Sequence, residues 1–171
     1  MAGSLVVVLD SMALIHLAKV SILEEIASKL EVVVPQAVFR EAVLDGIGKH
    51  ADAAVSNGLV KAGRVSVRKV RGAEKLEDFG LAGGEAECVA LCLGLRRANR
   101  SCLLVSNDLT VEETAKVLGV NWSFVPLFLA VLGKKKKISR EKARKAIISL
   151  EEIGWYSHRV IETALEALEN V

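Results

Sequence analysis

Cysteine is scarce, and what there is does not form a known pattern. Cys88, Cys92 and Cys102 are odd in number and contain no CxxC, so neither a disulfide framework nor a cysteine zinc site is indicated. Cys88 and Cys92 are one helical turn apart and read as small core residues. His16, His50 and His158 lie far apart with no second ligand motif beside them, which removes histidine zinc as well. The chain also has no GxSxG, no GxxxxGK[ST] and no GxGxxG. The usual esterase, P-loop and dinucleotide readings therefore fall away. There is no internal repeat, and no low-complexity segment beyond one lysine run. No basic flank precedes the first apolar run, which Asp10 interrupts, so no signal peptide is expected. A reducing cytoplasm suits such a chain.

Charge of one sign is lacking too. The formal net charge is +2 and hydrophobic residues make up 51% of 171 residues. This excludes a disordered or generally polycationic protein. A chain of this size buries about 70% of its unfolded surface and suits one domain with a core. Residues 117–133 are 17 positions without a charge, followed by KKKK, which has the outline of a minimal membrane span. Gly119, Asn121, Ser123 and Pro126 break it into a strand and a short helix. No membrane association is expected.

What is present begins with LVVVLD, residues 5–10. A β-branched run with no polar alternation describes a strand buried on both faces of a parallel sheet. Such a strand has no place for a charge, so Asp10 belongs at its carboxyl end, where open α/β sheets carry their ligand crevices. SMALIHLAKV follows as a helix, and Asp10 is also a favoured cap for it. Both roles stay open for this residue. Residues 21–30 predict a second helix with Ser21 as cap and Glu24 in the capping-box position. EVVV, residues 31–34, is a second strand, and Pro35 suits the first position of a helix over residues 36–44. A helix over 51–61, an edge strand over 64–70 and a loop to Gly80 come next. LAGGEAECVALCLGL then opens on paired glycines and becomes an apolar helix with Glu85 and Glu87 at its start. SCLLV, residues 101–105, is a strand ending in Ser106, Asn107 and Asp108. A helix over 110–118, a strand over 120–125 and helices over 126–132, 139–153 and 158–169 complete the chain. The alternation predicts a three-layer α/β/α fold with a mainly parallel sheet of four to five strands and right-handed crossovers. The expected organisation is an α/β domain over residues 1–125 and a C-terminal helical extension over 126–171 packed on it.

Four acids fall at one edge of that sheet. Asp10 ends the first strand, Asp108 follows the fourth, Glu85 opens the helix before it, and Glu41 leans back from the helix after the second. Clustered carboxylates repel unless a cation neutralises them, so the arrangement implies a metal. Oxygen-only ligands select Mg²⁺ or Mn²⁺. For Glu41 the plain alternative is a surface residue beside Arg40, and for Glu85 a favourable interaction with the helix dipole.

VVVLDSMALIHLAK, PQAVFREAV, GGEAECVALCLGL and LLVSNDLTVEETAKVLGV, in that order and spacing, resemble the motifs of PIN-domain proteins, particularly the compact prokaryotic type related to VapC toxins. The tail ending in GWYSHRVIETALEAL resembles the C-terminal extension of an archaeal branch. The resemblance implies a metal-dependent endoribonuclease acting on RNA, as a toxin or in RNA processing. Its acidic centre would be Asp10, Glu41, Glu85 and Asp108, with Asp10, Glu85 and Asp108 as metal ligands and Ser106 and Asn107 in support. Glu85 is preferred to Glu87 because it sits at the Gly-Gly turn. The family often has a second acid where this chain has Asn107, so a weakly catalytic nucleic-acid- or protein-binding module is the alternative. An antitoxin and a homodimer are the partners such proteins suggest. The run KKKKISREKARK, residues 134–145, has eight basic residues against one acid. Lys134, Lys135, Lys136, Lys137 and Arg140 are the candidates for phosphate contact, against a plain reading as a solvated face.

Overall fold

The computed structural model describes residues 3–153 and 155–170. Val6–Leu9 (β1) is fully buried along its length, as a β-branched run covered on both faces requires. It is the middle of a five-stranded sheet whose other strands are Glu31–Pro35 (β2), Val65–Arg68 (β3), Cys102–Val105 (β4) and Trp122–Ser123 (β5). The order is β3-β2-β1-β4-β5 and every pairing is parallel. The register sets Leu9 opposite Val105, and Val105 opposite Ser123. Asp10 and Ser106 therefore leave the sheet side by side at its carboxyl edge.

The helices are Ser11–Lys19 (α1), Leu23–Lys29 (α2), Gln36–Ala42 (α3), Ala51–Lys61 (α4), Gly83–Arg97 (α5), Leu109–Leu118 (α6), Val125–Lys134 (α7), Arg140–Ile153 (α8) and His158–Glu169 (α9). The expected α/β fold is present, with four local corrections. Ser21 does not cap α2. It takes a left-handed backbone (φ 60°), and with Ile22 it closes the end of α1 through bonds to the Ala18 and Leu17 carbonyls, so α2 starts at Leu23 with Ile22 in the cap position and no side-chain cap. Pro35 ends β2, paired with Arg68, and serves as the cap of α3 rather than its first residue. Helix α3 stops at Ala42, and a single 3-10 turn, Leu44–Gly46, follows where the sequence suggested continued helix. The fifth strand shrinks to two residues because both neighbours consume its ends. Gly119 closes α6 at φ 68° with Val120 bonded back to Ala115, and Phe124 already caps α7.

One continuous core runs from the sheet into the C-terminal helices, joining Val6, Leu104 and Val89 to Phe128, Ile147 and Leu168. Helices α7, α8 and α9 pack on one another at Gly133, where a Cβ would stand 2.7 Å from Leu168 Cδ1 and 2.8 Å from Ala143 Cβ. No helix among the described residues is long and apolar enough to cross a membrane. The three cysteines are buried free thiols, and Cys88 donates to the Leu9 carbonyl at 3.6 Å.

Candidate active site

Asp10 follows directly from the strand that precedes it. It is only 6% exposed, and its Oδ1 accepts the Ala13 N–H at 2.8 Å, so it does cap α1. The Ser106 side chain, itself fully buried, lies beside the same carboxylate and favours its charged form, and its hydroxyl accepts the Asp108 N–H at 3.2 Å. Asp108 repeats the Asp10 design one strand over, accepting the Val111 N–H at 2.9 Å as the cap of α6. Two adjacent parallel strands thus end in two capping aspartates, linked by one serine. In each, the described bonds engage Oδ1 with the helix.

Glu41 reaches this edge from α3. Its Oε2 accepts the Ser11 hydroxyl at 2.8 Å and its Oε1 accepts the Gly84 N–H at 3.1 Å, bridging the starts of α1 and α5. It makes no ion pair with Arg40. The paired glycines exist for this contact. A Cβ on Gly84 would stand 2.7 Å from Glu41 Oε2 and 3.0 Å from Val38 Cγ2, and Gly83 sits at φ +55° with its Cβ position 2.9 Å from Glu41 Oε1. Glu85 and Glu87 part ways on α5. Glu87 accepts the Ala37 N–H at 2.9 Å and so holds the start of α3, whereas Glu85 lies within the field of the other acids.

The electrostatics show that the four acids share one region. Burial, and next to it the charges of Asp108 and Glu41, push the Asp10 carboxyl above its ordinary value against the bonds from Ser106 and Ala13. Glu85 is raised too, first by burial and then by Asp108, Asp10 and Glu41. None of the ion pairs among the described residues involves any of the four. Among the described residues no basic side chain is paired with the negative charge at this edge. Yet among the described residues no three His, Cys, Asp or Glu side chains are grouped closely enough to enclose an ion. The reason is visible in the bonds: two carboxylates are turned to cap helices and Glu41 is spent on both oxygens. What remains fits a hard ion held by one or two carboxylates and completed by water and phosphate, which is how Mg²⁺ is commonly bound.

Asn107 lies between Ser106 and Asp108 but turns away from the acids. Its Oδ1 accepts the Val125 N–H at 3.0 Å, which fixes the amide so that Nδ2 donates to Tyr156 Oη at 2.7 Å. Tyr156 Oη in turn lies 2.6 Å from His16 Nδ1. The other ring nitrogen, Nε2, is buried with no hydrogen-bond partner among the described residues, which disfavours the doubly protonated, charged ring. Burial lowers the His16 pKa in agreement. The sequence reading missed Tyr156, Trp155 and Trp122. The available signal was an adjacent Trp and Tyr in a chain only 4% aromatic.

The basic candidates lie elsewhere. Helix α7 leaves the carboxyl edge at Val125, where Asn107 holds it, and its ten residues carry the chain about 15 Å away. Lys134, Lys135, Lys136, Lys137 and Arg140 are exposed at that far end. Next to them Lys142 pairs with Glu25 on α2 at 2.8 Å, and Arg144 pairs with Glu169. The structure brings the four acids to one edge and leaves the lysine run at the other.

A family model described as a PIN domain matches residues 6–170. No curated protein matches the chain.

Proposed function

The chain belongs to the PIN-domain family, and from that premise we propose that it is a metal-dependent endoribonuclease whose centre is Asp10, Glu85 and Asp108 with Glu41 and Ser106 in support. PIN domains are generally nucleases, so nucleic acid is the substrate class to expect. The observation that carries the reading is the uncompensated group of acids at the carboxyl edge, with Asp10 buried and raised in pKa while no base is paired to it. A fold does not keep a buried carboxylate beside like charges for stability, because each loses solvation and repels the others. When bound, Mg²⁺ or Mn²⁺ supplies a nucleophilic water at neutral pH and neutralises the phosphate for in-line displacement.

The chain's own residues hold the geometry. Ser106 accepts the Asp108 N–H from a position beside the Asp10 carboxylate, so one side chain touches both aspartates. Glu41 ties α1 to α5 and sets where the first turn of α5 presents Glu85. Glu85 is partly exposed, on the open side toward arriving substrate. RNA as the substrate, a toxin or RNA-processing role, an antitoxin partner and a homodimer belong to this proposal. A second reading, a binding module with little catalysis, is favoured by one observation: no three of the acids enclose an ion-sized space.

Cleavage of a labelled RNA with and without EDTA separates the two. Cleavage that depends on Mg²⁺ or Mn²⁺ and is lost in both Asp10→Asn and Asp108→Asn, with circular dichroism unchanged, is the expected result. Undiminished cleavage by both variants, purified free of contaminating nuclease, would contradict the assignment.

A further inference from the structure

A cleft of about 460 Å³, lined in part by Asn107 and Leu109, opens beside the acidic edge. It is inside the roughly 300–1,000 Å³ range of small-ligand sites. The chain has two tryptophans, one tyrosine and four phenylalanines. Both tryptophans, the tyrosine and Phe124 line this cleft. They come from two distant parts of the chain. Trp122 and Phe124 flank the end of β5 with ring centroids 6.0 Å apart, tilted by 41°. Trp155 and Tyr156 come from the turn between α8 and α9.

We propose that this cleft is a stacking subsite for one unpaired nucleobase of an RNA whose backbone passes the acids, with Trp155 as its principal face. The proposal rests on the nuclease reading of the acidic edge. Three features support it.

The first is that Trp155 is displayed although it is costly to display. It is 71% exposed. A large ring left in water forfeits burial that folding would otherwise gain, and a rigid aromatic on a polar rim is the usual form of a recognition surface. The second is that the residue beside it is anchored. Tyr156 is bonded to Asn107 at 2.7 Å and to His16 at 2.6 Å, and the Trp155 ring lies 6.3 Å from the His16 ring. The backbone next to Trp155 is thus tied to the carboxyl edge, which lowers the entropy left to be lost on binding. The third is the kind of ligand the wall accepts. Among its lining residues the only formal charge is Glu112, already held by Lys116 at 2.6 Å. Nothing there attracts a phosphate, whereas aromatic faces take any base by stacking. Asn107 and Leu109, the chain neighbours of Asp108, both line the cleft, so a base seated there belongs to a nucleotide adjacent to the acids.

The test uses the fact that the chain's only two tryptophans line the cleft. A riboadenylate hexamer, the same hexamer with abasic sugars, and a blunt RNA duplex are titrated in EDTA, so that no cleavage shortens them. Tryptophan emission and the anisotropy of an end label are both read. The hexamer should quench emission, and the abasic strand and the duplex should not. Trp155→Ala should weaken hexamer binding by roughly 5- to 150-fold, the loss of one base stack, Trp155→Phe should recover part of it, and abasic binding should be unchanged. Equal binding of abasic and adenylate strands, or no effect of Trp155→Ala, would overturn the proposal. Failure of all three to bind would overturn it and leave the cleft to a protein partner. Metal-dependent cleavage of a longer RNA is measured in parallel on the same preparation. Its absence with stacking intact would contradict the nuclease reading alone, and its presence without stacking would contradict only the subsite.

Discussion

Asn107 stands next to Asp108 in the chain, and the structure gives it a different task. As a donor to Tyr156 and an acceptor from Val125, it fastens the C-terminal turn to the carboxyl edge. An aspartate there could not donate to the tyrosine as the Asn107 amide does. His16, on the other side of the tyrosine, is a buried ring with 1% of its surface exposed. Its folded pKa is lowered from 6.5 by burial, with Lys19 adding to the shift. A group depressed in this sense favours folding fully when the unfolded form is also neutral, above about 6.5. The contribution is lost as pH falls from there through the lower folded value. Wild type should therefore lose melting temperature between pH 7 and pH 5 faster than His16→Gln, which cannot take up the proton. Parallel pH profiles for the two proteins would show that burial does not oppose protonation of His16.

Between elements, the critical approach is the start of α5 against α3. The Gly-Gly pair was legible in the sequence as a helix opening, but its reason was not, since nothing local shows that Glu41 will lie over Gly84. Gly84→Ala places a methyl 2.7 Å from Glu41 Oε2 and 3.0 Å from Val38 Cγ2. The carboxylate is the end of a flexible side chain and can move, so the helix should persist while Glu41 is displaced. The variant should unfold within a few degrees of wild type and lose most of any metal-dependent cleavage. Retained cleavage would mean that Glu41 is dispensable. Most of the fold was legible at this scale, because buried strands such as VVVL and the helix periods carry their own signal. What was lost were ends settled by tertiary contact. Ser21 reads as an N-cap but closes α1 in a left-handed turn, and β5 is cut short by the caps of its neighbours. Asp10 and Asp108 were visible as site candidates because each interrupts an apolar run with a charge. Tyr156 and Trp155 were not, since their meaning depends on a contact across 49 residues of chain.

Across the whole molecule, the acids and the lysine run occupy opposite ends of α7. A short substrate cannot contact both, and a long one must follow the surface between them. Replacing Lys134 to Lys137 with alanine should leave cleavage of a short oligonucleotide unchanged. It should flatten the salt dependence of long-RNA binding by about 0.7 per lost phosphate contact. A fall in short-substrate cleavage would place the lysines at the acidic edge after all, and an unchanged slope would leave them as a solvated face.

The central claim, that the acids form one ion-binding centre, is tested most directly by thermal unfolding of wild type and Asp10→Asn in EDTA and across a Mn²⁺ titration. In EDTA the raised Asp10 pKa means that its charge opposes folding once the pH passes its folded value. At neutral pH Asp10→Asn should therefore be as stable as wild type or more so, with asparagine still able to cap α1. Mn²⁺ should then raise the wild-type melting temperature by roughly 5–10 °C at a hundredfold excess over its Kd, and that of the variant much less. Equal shifts in the two proteins would show that Asp10 is a helix cap and no part of a metal centre, and a clearly destabilised Asp10→Asn in EDTA would contradict the claim that the acids repel one another at one site.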